Sequence, residues 1–273
     1  MSRIAERFRA CRAAGRTALI PYITGGDPAP ARTAELMHAL VAGGADIIEI
    51  GVPFSDPMAD GPVIQEACAR ALAAGTTPEG LLDVVAQFRA DDPDTPVVFM
   101  GYANTMEAMG YERFAERAAE AGVDGLLTVD LPPEEGGELP AIAARHGLDL
   151  IHLIAPNTSD QRLERVCASA GGFLYAVALK GVTGAANLDT DAVSERVEGL
   201  RRWTDLPIAV GFGVRDARSA GALAPAADGV VVGSALVRMI GEHGDAPDLA
   251  DRLRDAALAL RRGMDEATRE ERP

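Results

Sequence analysis

Residues 46–67 read DIIEIGVPFSDPMADGPVIQEA, and three different local grammars succeed one another within them. Asp46–Gly51 is a short apolar run rich in isoleucine that ends on glycine, the pattern of a buried strand. Residues 52–61 are polar and punctuated by Pro53, Pro57 and Gly61, which makes a loop. From Pro62 onward an amphipathic helix begins, with proline at its first position. The segment is therefore one strand–loop–helix unit. Its loop exceeds the roughly 2–6 residues usual for such a connection, and length there points to function.

The same unit repeats in both directions along the chain. Apolar runs at Ala18–Thr24, Asp46–Gly51, Val97–Gly101, Gly125–Val129, Asp149–Ile154, Phe173–Ala178, Ile208–Gly211 and Gly229–Val232 read as strands. Helical patterns follow at Pro30–Ala42, Pro62–Ala74, Glu112–Ala121, Glu134–His146, Asp160–Ala170, Asp191–Trp203, Ala217–Leu223 and Ala235–Glu242, with further helical stretches at 2–13, 78–90 and 247–262. Eight βα units in roughly 250 residues without a linker favour an α/β fold that closes as a single (β/α)8 TIM barrel with extra helices. An open doubly wound sheet is the alternative, although its first turn would need a glycine-rich fingerprint and Gly25–Gly26 falls short of one. Residues 1–273 are expected to form a single domain, with an N-terminal helix within 1–13 and a frayed tail over 263–273.

Composition narrows the function. The 273 residues carry 26 Lys+Arg against 41 Asp+Glu, a formal charge of −15, which argues against nucleic acid as a partner. No run approaches the roughly 20 apolar residues of a membrane span, and the N-terminus has no signal-peptide core, so a cytoplasmic protein is expected. Cys11, Cys68 and Cys167 are too scattered for a disulfide framework or a zinc site. Lys180 is the only lysine.

In such a barrel the chemistry sits at the C-terminal ends of the strands. Glu49 lies inside an apolar strand, pointing either into the barrel or toward the helical layer. Both are poor solvents for a carboxylate, so its pKa should rise into the range of acid–base catalysis. The structural alternative is an ion pair with an arginine of a neighbouring strand. Asp60, just before Gly61–Pro62, reads as a second functional carboxylate or as a helix N-terminal acid; Asp56 reads as a loop residue or as a turn former with Pro57. The sixth strand's exit, residues 174–193 (LYAVALKGVTGAANLDTDAV), reads as a lid in which Thr183 offers a hydroxyl and Gly181 and Gly184 allow close approach. After the seventh and eighth strands, GFG at 211–213 and GSA at 233–235 place Gly213, Gly233 and Ser234 where such barrels bind phosphate through backbone N–H groups. Tyr22, Tyr102, Tyr175 and Phe212 sit at or just past strand ends in a chain only 4% aromatic, which suggests a flat apolar ligand with a phosphate at its far end.

From about Arg7 to the last helix, the chain resembles the alpha subunit of tryptophan synthase. The most specific segment is EIGVPFSDPMADGPVIQ at 49–65, joined by IPYITGGDP at 20–28, MGYAN at 100–104, VDLPPEE at 129–135, GVTGA at 181–185, and the GFG and GSA turns. The resemblance implies a carbon–carbon lyase that splits indole-3-glycerol phosphate into indole and glyceraldehyde 3-phosphate, with no metal or organic cofactor of its own. It assigns catalysis to Glu49 and Asp60 and the indole pocket to Tyr22, Tyr102, Leu127, Tyr175 and Phe212. Gly184, Gly213, Gly233 and Ser234 would hold the phosphate, and Asp56 and Thr183 would close two loops over the substrate. The expected partner is a pyridoxal-phosphate-dependent beta subunit in an alpha2beta2 complex.

Three positions depart from the family's usual residues: Ala178 for serine, Thr105 for proline, and Val129 for proline or alanine. Two rival readings keep the barrel. In one, Lys180 forms a Schiff base as in an aldolase, though it lacks a rigid apolar pocket. In the other, the chain is a non-catalytic regulator, against which the intact Glu49 and Asp60 speak.

Overall fold

A computed structural model describes residues 2–177, 189–211 and 213–270. Its eight strands are β1 (Ala18–Thr24), β2 (Ile48–Gly51), β3 (Val97–Gly101), β4 (Gly125–Thr128), β5 (Asp149–Ile154), β6 (Leu174–Val177), β7 (Ile208–Gly211) and β8 (Gly229–Val232). All pair in parallel with their chain neighbours, and β8 returns to β1, closing the barrel. The open-sheet alternative is thereby excluded.

The helices among the described residues are α1 (Arg3–Ala13), α2 (Pro30–Ala42), α3 (Pro62–Ala73), α4 (Pro78–Asp91), α5 (Ala103–Glu107), α6 (Tyr111–Ala121), α7 (Leu139–Arg145), α8 (Asp160–Ser169), α9 (Thr190–Arg201), α10 (Ala217–Leu223), α11 (Ser234–His243) and α12 (Leu249–Glu270). Their starts follow from local chemistry. Thr77 accepts a hydrogen bond from Gly80 N at 3.1 Å ahead of Pro78, and Asp216 with Ser219 forms a capping box at α10.

Alternation along the strands divides the interior in two. Ile48 and Ile50 face the helical layer with Leu81, Phe88 and Phe99, whereas Ile20, Tyr22, Ile47, Val98, Leu127, Ile151, Ala209 and Val231 fill the barrel itself. Helix α1 plugs the bottom of that inner core with Ile4, Phe8 and Cys11, and Phe8 packs 5.6 Å from Phe173 between ring centroids. At the same end three aspartates stitch strands together. Asp46 accepts from Leu19 N at 3.0 Å, Asp124 from Val97 N at 2.8 Å and Asp228 from Ile208 N at 2.9 Å. Each ladder is thus finished by a carboxylate that arginines in turn satisfy: Arg16 and Arg261 at Asp46, Arg3 and Arg89 at Asp124, Arg12 and Arg201 at Asp228.

Two expectations are corrected. The helix expected at Glu134–His146 covers only Leu139–Arg145, because Gly136–Gly137 weaken its start and a helix from Glu134 would place Pro140 in its interior, where the ring clashes and a donor is missing. The tail expected from 263 is helical to Glu270: Leu249, Leu253, Ala257, Leu260 and Met264 recur at helical spacing and are all buried, so the stripe continues past 262. The short α5 is an addition to the expected elements.

Helices α10 and α12 touch through two glycines. A Cβ on Gly263 would lie 2.3 Å from Ala217 O, and one on Gly221 would lie 2.6 Å from Gly263 O. Backbone atoms cannot swing aside as a side-chain end can. Gly263→Val is therefore expected to destabilise the fold by about 1–3 kcal/mol, the usual range for overpacking, read as a lower midpoint in urea unfolding.

Candidate active site

The barrel mouth holds a cleft of about 710 Å³, within the range of small-molecule sites. Its walls include Tyr22 from β1, Glu49 from β2, Asp60 from the β2–α3 loop, Tyr175 from β6, and Gly213, Gly233 and Ser234 from the last two strand ends.

Glu49 occupies the inner parity. Its Cα is in register with Tyr22 on β1 and Val98 on β3, so the side chain enters the barrel, which decides between the two directions the sequence allowed. The residue is 1% exposed, and its Oε1 has no hydrogen-bond partner among the described residues. The ion pair with an arginine that sequence left open does not form: among the described residues no guanidinium pairs with Glu49. Burial, aided by the charge of Asp60, pushes its pKa up to about 8. A carboxyl in this state keeps its proton at neutral pH, and an unpartnered oxygen aimed into a cleft is an open position for a ligand.

Asp60 is half-buried opposite. Tyr102 donates its hydroxyl proton to Asp60 Oδ2 at 2.9 Å while accepting from Ala59 N at 2.9 Å. Burial raises the pKa of Asp60, and the Tyr102 hydrogen bond opposes that rise by favouring the carboxylate. The two acids are therefore inequivalent: Glu49 Oε1 meets no donor among the described residues, whereas Asp60 accepts from Tyr102.

Tyrosine rings over glycines shape the walls. A Cβ on Gly51 would meet the Tyr22 hydroxyl at 2.0 Å, and one on Gly211 would meet the Tyr175 hydroxyl at 2.3 Å. Glycine at these strand ends is what lets each ring lie across its neighbour. Tyr22 reaches Thr24 Oγ1 at 3.4 Å, and burial lifts both phenols above their ordinary range. At the other end Gly233 caps α11 and Gly213 adopts φ +71°, a left-handed conformation that disfavours side chains.

The remaining expected residues fall elsewhere. Tyr102 is buried against Asp60, 5.1 Å from Phe54 between ring centroids, and Leu127 is a buried inner-barrel residue in register with Met100. Asp56 is exposed in the loop, accepting from Ser55 Oγ at 2.6 Å. Thr183, Gly184, Phe212, Ala178 and Lys180 lie outside the described residues. Met100 and Leu153 are wall residues that sequence reasoning missed; their strand parity, shared with Leu127 and Tyr175 by register, was the available signal. Arg215 and Arg238 also reach the wall beside the glycine turns.

Residues 8–268 match the family model described as tryptophan synthase alpha chain. The chain belongs to the tryptophan synthase alpha chain family. It is 75% identical to the tryptophan synthase alpha chain of Halorhodospira halophila over 98% of both chains. To that of Thioalkalivibrio sulfidiphilus it is 59% identical, over 97% of this chain and all of the other. The solved tryptophan synthase subunit alpha from Legionella pneumophila superimposes with a TM-score of 0.91 at 41% identity, covering 97% of this chain and 99% of that one. A chain of Mycobacterium tuberculosis tryptophan synthase gives 0.87 at 39%, covering 96% and 98%. As a member of the family the chain is a carbon–carbon lyase of tryptophan biosynthesis that cleaves indole-3-glycerol phosphate.

The state of Glu49 has a thermodynamic consequence. Its pKa in the folded protein exceeds that of an exposed glutamate, so the folded state holds the proton more tightly than the unfolded chain. Stability linked to this group is complete below about pH 4.5 and is lost progressively as pH rises toward about 8. Glu49→Gln removes that loss. Urea unfolding is expected to show the variant close to wild type in mild acid and more stable than wild type above pH 8.

Proposed function

We propose that Glu49 and Asp60 are the catalytic pair, that the substrate's indole lies between Tyr22 and Tyr175, and that its phosphate lies at Gly213, Gly233 and Ser234. The observation that carries this reading is a buried carboxyl with an open oxygen in the same cleft as a second acid that accepts a phenol hydrogen bond.

Cleavage faces one obstacle, that an indole ring cannot leave as a carbanion. The ring carbon bearing the side chain must first accept a proton, which leaves the ring nitrogen cationic. Glu49, protonated at neutral pH, delivers that proton. Asp60 accepts the ring N–H hydrogen bond and stabilises the positive charge, and the Tyr102 hydrogen bond favours its ionised form against the effect of burial. Glu49, now a carboxylate in an apolar site, is a strong base. It takes the proton of the adjacent glycerol hydroxyl, the carbon–carbon bond breaks, its electron pair restores the aromatic ring, and an aldehyde forms. Glu49 ends as it began, and no atom is gained or lost. The same desolvation makes it a proton donor first and a strong base afterwards.

The phosphate is assigned mainly to backbone amides at the start of α11 and at the Gly213 turn, the usual anion site of a helix N-terminus in such barrels. Gly184 is assigned to the same group, and closure of the two loops to Asp56 and Thr183. Phe212, beyond the Gly211 over which Tyr175 lies, is assigned to the indole side. Tyr102 and Leu127 are assigned to the indole side as well, Tyr102 also acting through its hydrogen bond to Asp60.

The family is that of an alpha chain, which supports a beta chain as partner in an alpha2beta2 complex. That subunit would consume the indole and carry pyridoxal phosphate; this chain is assigned no cofactor. The β2–α3 loop presents Met58 81% exposed at the barrel mouth, a surface suited to such a partner. No helix among the described residues is long and apolar enough to cross a membrane, which is compatible with the cytoplasmic, single-domain protein we propose.

Glu49→Gln and Asp60→Asn are each expected to reduce indole release by at least about 100-fold, the lower end of what a positioned acid–base group contributes, with circular dichroism unchanged. Near-normal indole release by Glu49→Gln would refute the assignment. The assay is run with and without the beta subunit, which is expected to stimulate the wild type about 5–150-fold, the span of ordinary coupling energies.

A further inference from the structure

Helix α3 starts two residues after Asp60, so its placement decides where that carboxylate stands. Its hold on the core is thin. The side chains it buries are Ala67, Cys68 and Ala71, with Val63 and Ile64 partly covered near the mouth. By contrast α4, the next helix, buries Leu81, Leu82, Val84, Val85 and Phe88. Apolar burial stabilises in proportion to area, at roughly 25 cal/mol per Å², so two alanines and a cysteine anchor α3 far more weakly than five large side chains anchor α4.

What holds α3 instead is polar. Arg70, eight residues beyond Pro62, donates from Nε to Asp27 Oδ1 and from Nη2 to Asp27 Oδ2, both at 2.8 Å. Asp27 belongs to the loop after β1 and is 1% exposed, so this is a bidentate pair on a buried carboxylate. The same guanidinium lies against α11: a Cβ on Gly241 would fall 2.9 Å from Arg70 Nη2 and 3.1 Å from Cζ. Helix α2, which follows that loop, is tied to the end of α11, since Arg32 donates to Gly244 O and Ala246 O at 3.3 and 3.1 Å. At the front of α3, Gln65 Nε2 donates to Asp60 O at 2.9 Å and to Pro57 O at 3.3 Å. A continuous chain of contacts thus runs from Asp27 through Arg70 and α3 to the backbone of Asp60, and sideways to the helix whose N-terminus is assigned the phosphate.

We infer that Arg70 is a positioning residue: clamped on Asp27 and laid against Gly241, it fixes the distance between Asp60 and the phosphate end of the cleft. The inference rests on the assignments of Asp60 and of the α11 N-terminus. Substrate anchored by its phosphate presents the ring N–H at one place, and Asp60 must meet it there to stabilise charge that exists only in the transition state. Loosening α3 then costs catalytic rate more than binding, because the phosphate anchor does not depend on it. A lysine at 70 places one charge near Asp27 but cannot form the two-pronged contact.

The test uses full-length Arg70→Met and Arg70→Lys, with Asp27→Asn as a partner variant that keeps the shape and removes the charge. Arg70→Met is expected to lower kcat about 10-fold or more, while KM and the inhibition constant of glycerol 3-phosphate, a probe of the phosphate anchor alone, stay within about twofold. Arg70→Lys should recover part of the rate, and Asp27→Asn should reproduce part of the loss. Amide hydrogen exchange over 62–73 should quicken relative to α4. The inference is overturned if Arg70→Met keeps wild-type kcat. It is equally overturned if kcat, glycerol 3-phosphate binding and melting temperature fall together, the mark of a merely structural ion pair. Asp60→Asn separates the two levels: wild-type rate there removes the underlying assignment, whereas an inactive Asp60→Asn beside a fully active Arg70→Met removes only the role of Arg70.

Discussion

A carboxyl group buried at the floor of a cleft, with an oxygen that no described residue meets, is an expensive thing to fold around, and the arrangement of this molecule's upper half follows from accommodating Glu49. Ionised in such a place it would cost many kcal/mol, so the group stays protonated instead. Everything adjacent is consistent with that choice. Inner-barrel neighbours are apolar or aromatic, the nearby charge is another acid, and no guanidinium among the described residues approaches Glu49 to draw the proton off. The tyrosines that close the apolar surroundings can lie where they do because Gly51 and Gly211 give them room.

The two ends of the barrel treat acids in opposite ways. Below, Asp46, Asp124 and Asp228 are paired with arginines and with backbone N–H groups of neighbouring strands, so they are fixed, satisfied and chemically idle. Above, Glu49 Oε1 meets no donor among the described residues and Asp60 accepts from the Tyr102 phenol. Unsatisfied groups on a rigid frame are what a reaction can use, and the rigidity comes from the satisfied ones. Helix α3 joins the two regimes, since it carries Asp60 at its front yet is secured by a satisfied ion pair at its middle.

Much of this is legible in the residues. Strand and helix alternation points to the closed barrel, and the misplaced polarity of Glu49 in DIIEIG is enough to mark the site. Parity narrows that side chain to two directions but cannot choose between them, because both interiors of a barrel are apolar; the register with Tyr22 and Val98 is needed. Tyr102 stands out as an aromatic at a strand end, yet its hydroxyl contact to Asp60 spans 42 positions, and no local pattern encodes such a distance. The same holds for Arg70 and Asp27, 43 positions apart. The length of α12 differs in kind: the stripe through Leu260 and Met264 is present in the sequence, but the charged residues around it make the segment read as a tail.

The central claim is that Glu49 holds its proton at neutral pH because it is buried and unpartnered. Infrared difference spectra of wild type against Glu49→Gln, recorded from about pH 5 to pH 10, isolate the carboxyl C=O stretch of this one residue. The account predicts a protonated-carboxyl band present at pH 7 and lost with a midpoint near 8. A band already gone below pH 6 would mean that Glu49 is an ordinary ionised glutamate in the resting protein, and the account of proton delivery would fail with it.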